Sequence, residues 1–152
     1  MPRTCKDEAP LLLDSPGTLD EATARELAEK LVAFLETNTP PDGLFTPDVF
    51  CDLTVPLWRL QAVGLEESVA LRKAGHPVSG RVPRSRFDLT SGGFLLEVEE
   101  EWEQGGDTWY CRELIRADVA DGAISALAVY CTGDWDSALV ARHAAEVRLA
   151  RP

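Results

Sequence analysis

Glu113 is the residue in this chain whose setting most suggests chemistry. It lies in the run Trp109-Tyr110-Cys111-Arg112-Glu113-Leu114-Ile115, where Trp109, Cys111 and Ile115 share its parity. In a strand, that parity puts an acid on an apolar face. An isolated buried carboxylate is costly to ionise, so it raises its pKa or acquires a partner. Beside a phenol, such a group suits general acid–base catalysis. The strand pairing below places Tyr130 next to it, as the group that would hydrogen-bond developing enolate charge. Trp58, Trp109, Cys111, Thr132 and Asp134 are expected around the pair as substrate contacts. His76 follows a helix end and is expected at the cavity mouth. Asp52, on an early strand, is a third catalytic candidate if strand twist carries it to the same mouth. The plain alternative is an ion pair between Glu113 and Arg25 or Arg59. Cys111 has no neighbouring His in sequence, so a Cys–His pair is not expected, and His143 reads as a surface residue.

Other chemistries lack their signatures. There is no C-x-x-C among Cys5, Cys51, Cys111 and Cys131, and no G-x-G-x-x-G, Walker loop, H-E-x-x-H or G-x-S-x-G. No metal and no cofactor are expected. With 15 Lys+Arg against 26 Asp+Glu, the net charge is −11. That argues against nucleic acid and anionic membranes as partners. No run approaches the roughly 18 apolar residues that span a bilayer. Leu11-Leu12-Leu13, flanked by acids, is too short for a signal peptide, so a cytoplasmic protein is expected.

The 152 residues suit one domain, with 1–17 as a loose tail and 18–152 folded. Thr18 and Glu21 form a capping box before a helix over 19–37, with Leu27, Leu31, Phe34 and Leu35 at helical spacing. Pro40-Pro41-Asp42-Gly43 ends it. Strands follow over 49–55 and through Trp58 and Leu60, then a helix over 65–73 stopped by Gly75. From Val82 the chain reads as an antiparallel meander with turns at Ser91-Gly92-Gly93, Gly105-Gly106 and Asp121-Gly122. Asp136 caps a last helix carrying Val140, Ala144 and Val147 on one face.

The turns fix a register. Gly105-Gly106 sets Trp102 against Trp109, Glu100 against Cys111 and Val98 against Glu113. Asp121-Gly122 sets Ala120 against Ala123, Ile115 against Ala128, Glu113 against Tyr130 and Cys111 against Thr132. One face then holds Phe94, Leu96, Val98, Ile115, Ile124, Ala126, Ala128 and Tyr130. Arg84, Arg86, Glu97, Glu99 and Arg112 form an ion-pair ladder on the other. Glu100 falls on the apolar side. Cys111 and Cys131 point to opposite faces, so no disulfide joins them.

The order of elements resembles the nuclear transport factor 2-like superfamily, and within it the SnoaL-like group. The residues that carry this are the long first helix, Leu44-Phe45-Thr46-Pro47-Asp48-Val49-Phe50, Gly64-Leu65-Glu66-Glu67-Ser68-Val69, and Asp121-Gly122-Ala123-Ile124 leading to Val129-Tyr130. The resemblance implies an α+β cone. A curved antiparallel β-sheet wraps around N-terminal helices and leaves an internal cavity, and the C-terminal helix extends beyond the usual pattern. It implies a homodimer joined through the sheet. It also implies a cofactor-independent isomerase, cyclase or dehydratase acting on an apolar carbonyl compound, or else a hydrophobic-ligand-binding or interaction module without catalysis. In ketosteroid isomerase-like members the base carboxylate falls near Asp52 or Leu53.

Overall fold

The computed structural model describes residues 19–152. In chain order it contains α1 (Glu21–Thr37), β1 (Phe45–Val55), β2 (Trp58–Val63), α2 (Leu65–Gly75), β3 (Gly80–Leu89), β4 (Gly93–Gln104), β5 (Asp107–Ala120), β6 (Ala123–Cys131) and α3 (Ser137–Glu146). The six strands form one sheet in the order β2-β1-β6-β5-β4-β3. The meander is antiparallel as expected, but β1 runs parallel to β6, so the sheet is mixed.

α1 forms because its apolar residues recur on one side. Ala24, Leu27, Ala28, Leu31, Phe34 and Leu35 are buried against the sheet. Thr18 and its capping box lie outside the described residues; the cap seen is Asp20, whose carboxylate accepts from the Thr23 amide. Asn38 closes the other end in the left-handed region, its amide bonded to the Phe34 carbonyl at 2.8 Å. α2 covers the sheet beside β1 and β2. α3 is capped by Asp136 as its sequence predicts. Among the described residues no helix is long and apolar enough to cross a membrane.

The β4–β5 register is the expected one, with Val98 opposite Glu113, Glu100 opposite Cys111 and Trp102 opposite Trp109. The outward ladder forms in part, Arg84 and Arg112 flanking Glu99 while Arg112 reaches Glu97, but Arg86 turns to Asp88 on its own strand instead. The β5–β6 register starts as expected at Ala120 and Ala123, then slips. Val119 pairs with Ile124 but Asp118 pairs with Ala126, leaving Ser125 as an extra residue. A bulge of this kind exchanges the faces of everything beyond it. Leu127 and Val129 therefore point into the core with Cys131 behind them, while Tyr130 sits opposite Leu114 and is 58% exposed. The inward placement of Tyr130, Ala126 and Ala128 is thereby corrected, as is the separation of Cys111 from Cys131. Apart from Ser125, both parities of Ala123-Ile-Ser-Ala-Leu-Ala-Val are apolar, and the bulge lets the bulkier Leu127 and Val129 fill the interior.

Candidate functional site

Between the helices and the concave face of β1, β5 and β6 lies a cavity of about 310 Å³. Its walls are apolar, with Leu31, Phe34, Phe45, Leu53, Ile115, Leu127 and Val129 among them. Its polar residues are Ser68, Arg72, His76, Glu113, Cys131 and Asp134. Such a cavity, mostly apolar with a few placed polar groups, is the usual form of a small-molecule site.

Three of the polar residues come from one stripe. Ser68, Arg72 and His76 recur every four residues along α2 and its C-cap, so they share a face. Arg72 reaches Glu100 with two hydrogen bonds, at 2.5 and 3.1 Å, and also donates to the Leu35 carbonyl at 2.7 Å and Asn38 Oδ1 at 3.0 Å. Glu100 is thus the buried charge that Arg72 satisfies, where Arg25 or Arg59 beside Glu113 would have made the plain ion pair. Arg25 instead pairs with Glu21, and Arg59 with Asp52.

Glu113 is 5% exposed and lies next to this pair. Burial holds its carboxyl well above the usual carboxylate range, and the negative charge of Glu100 and then that of Cys131 push the same way. Arg72 opposes them, and a hydrogen bond to Glu100 adds to the rise. Burial therefore favours the protonated form of Glu113 beside the charged Glu100. His76 stacks on Trp102, ring centroids 4.4 Å apart, and its Nε2 lies 3.5 Å from Asp134 Oδ1. One donor atom each from His76, Glu100, Cys111 and Glu113 fall within 4.8 Å of one another. Those donor types suit a borderline cation. Here the guanidinium of Arg72 already balances Glu100, and burial disfavours a second charge on Glu113.

Cys111 is fully buried, and its one S–H has two acceptors in reach, Glu100 Oε2 at 3.7 Å and the sulfur of Cys131. Cys131 lines the cavity, accepts from the Gly133 amide at 3.4 Å, and is the direct cross-strand partner of Glu113. Its thiol is pulled down to about 7, by the Cys111 hydrogen bond foremost and the Gly133 amide in addition, while burial opposes. Gly133 sits at φ +83°, and a Cβ there would come 2.8 Å from Pro56 Cγ, so glycine is what allows its amide to face the sulfur.

Of the residues singled out from sequence, the fold brings Glu113, His76 and Asp134 to the cavity and places Cys111 just behind it. Asp52 is not brought there. Cys51 and Leu53 face the cavity and Asp52 faces away, held by Arg59 in two bonds at 2.9 and 2.6 Å that keep its carboxyl below the ordinary range. Trp58 shares the concave face but stands at the free edge, 69% exposed. Trp109 donates its indole N–H to the Gln104 carbonyl at the β4–β5 turn. The Thr132 hydroxyl accepts from the Arg112 amide. Sequence reasoning missed Arg72, Ser68, Cys131 and Trp102. The four-residue polar stripe of α2 was a legible signal for the first two. Tyr130→Phe and Asp52→Asn should both leave ligand affinity and turnover unchanged, which titration and rate measurements on each variant would check.

No protein-family model matches this chain, and no curated protein matches it. Solved structures do. A nuclear transport factor 2-like protein from Anabaena variabilis matches with a TM-score of 0.62 at 16% identity, over 74% of this chain and 89% of the other. A putative polyketide cyclase from Xanthomonas campestris pv. campestris matches at 0.56 and 14%, over 72% and 90%. An epoxide hydrolase from M. tuberculosis matches at 0.55 and 15%, over 72% and 83%. The chain therefore has the nuclear transport factor 2-like fold, an α+β cone with an additional C-terminal helix. Similarity at this level speaks for fold and not for activity.

Proposed function

We propose that this chain is a cofactor-independent acid–base enzyme of the isomerase, cyclase or dehydratase type, acting on an apolar carbonyl compound held in the cavity. One observation carries this: a buried carboxyl, Glu113, whose burial favours its protonated form, meets the imidazole of His76 within 4.8 Å at the wall of an apolar cavity. Two proton-handling groups in different environments can serve one substrate, one as acid and one as base. Glu113 gives its proton to the carbonyl oxygen as charge develops there. His76, oriented by Asp134, takes the proton from the adjacent carbon. Arg72 stays on Glu100, which keeps the Glu113 proton oriented. Assignment to the SnoaL-like group is part of the same proposal, supported by the fold shared with a putative polyketide cyclase. So is a homodimer through the outer sheet face, where Leu114 and Tyr130 are register partners and both exposed.

The test begins with a thermal-shift screen of small ketones and aldehydes, since a ligand selective for the folded state raises apparent stability. Hits are then incubated in D2O and followed by NMR for exchange at the carbon beside the carbonyl. Protein-dependent exchange is expected. Tight binding without exchange would overturn the catalytic reading and leave a binding module.

A further inference from the structure

Cys131 has no part in the acid–base scheme, yet it is the cavity residue best placed to form a bond. It stands directly across from Glu113 in the β5–β6 ladder, so sulfur and carboxyl leave the sheet on one face, with Cβ atoms about 4.5–5.5 Å apart. It lines the cavity and is only partly buried. Two donors face its sulfur, the Gly133 amide and the Cys111 thiol. Cys51 lines the same cavity, with no such donor facing it among the described residues. A second feature points to a bound carbonyl. Ser68 also lines the cavity, and its buried hydroxyl has no hydrogen-bond partner among the described residues. A carbonyl oxygen is an acceptor it lacks.

We propose that the substrates of this site are α,β-unsaturated carbonyl compounds, and that Cys131 adds to their β-carbon while Glu113 protonates the α-carbon. The proposal deepens the acid–base reading and rests on Glu113 as its proton carrier. The thiolate lone pair forms the S–C bond. The C=C π pair moves toward the carbonyl as an enolate, and the O–H bond of Glu113 breaks to make the new C–H bond. Glu113 is left as a carboxylate, and nothing is oxidised or reduced. A proton on Cys131 at the start is lost to solvent. The reverse steps restore thiolate and acid. Between them the former double bond is single and rotates, so addition and elimination together interconvert the two geometric isomers. Sulfur and acid act from the same face on adjacent carbons, as cross-strand neighbours can.

The probe is benzalacetone, an apolar enone, with the full chain, intact mass spectrometry and peptide mapping. The Cys51 thiol is pushed up to about 11 by its burial, by Asp52 and by Glu113, against about 7 for Cys131. The thiolate is the nucleophile, so the adduct should form at Cys131 ahead of Cys51. Glu113→Gln should slow that adduct, because the enolate loses its proton donor. Cys131→Ser should lose it, and the unsubstituted chain should still exchange deuterium into the saturated analogue benzylacetone. No adduct, an adduct chiefly at Cys5 or Cys51, or a rate unmoved by Glu113→Gln would each overturn the proposal. Persistent exchange into benzylacetone in those cases would leave the acid–base reading standing. Mapping on the unsubstituted chain does not depend on any variant folding.

Discussion

Arg72→Met should cost the fold about 3–5 kcal/mol in urea denaturation, the usual consequence of stripping one partner from a buried ion pair. Glu100 is 2% exposed and the Arg72 side chain 11% exposed, so solvent screens their interaction only weakly. The loss reaches further than one pair. Arg72 also holds the Leu35 carbonyl and Asn38 Oδ1 at the C-terminal end of α1, and Asn38 in turn donates to the carbonyls of His76 and Val78. Without the guanidinium, Glu100 is a bare charge beside Glu113. Glu100→Gln added to Arg72→Met should therefore recover part of the loss, a coupling that a double-mutant cycle measures directly. Arg72→Lys should rescue little, because one ammonium cannot span the same set of acceptors. A single variant within about 1 kcal/mol of the parent would show that this hub does not hold α1, α2 and β4 together.

Glu113→Gln should lower turnover by about 10²–10⁴-fold, the usual contribution of a positioned acid or base, with the Michaelis constant less affected. The same substitution should make the protein more stable at alkaline pH. The sign follows from the raised pKa. Below about pH 4.5, the ordinary value, the group is neutral whether the chain is folded or not. Above it the unfolded chain ionises Glu113 and the folded one does not, so stability falls as pH rises toward the folded-state pKa. The slope over that window is roughly 1.4 kcal/mol per pH unit. Gln cannot ionise, so the variant's advantage should be absent near pH 4 and grow as pH rises above the ordinary carboxylate range, as paired denaturation curves would show. An advantage independent of pH would mean that Glu113 is ionised in the folded protein.

The fold was legible where polarity and position agreed. In β4 and β5 the two parities differ sharply, with Phe94, Leu96 and Val98 on one side and Glu97, Glu99 and Arg112 on the other, so only one register keeps the charges wet. The turn at Asp121-Gly122 was equally clear, both residues having positive φ. β6 was not legible past that turn, because alanines on both parities allow either face to be buried. Glu113 could be placed from β5 alone, since its neighbours fix its direction. Arg72 could be placed on the α2 stripe but not given its partner, because Glu100 lies on a strand that only the folded chain brings close. Cys131 was misplaced along with Tyr130, by the same one-residue slip.

The extra residue at Ser125 makes the chemistry of this cone a matter of counting. Excising that serine would rotate the rest of β6 by half a turn, carrying a phenol inside and a thiol out with no side chain altered. Proteins built on this plan can thus trade one reactive group for another through a single-codon insertion or loss, a larger step in function than most substitutions of the cavity wall would give.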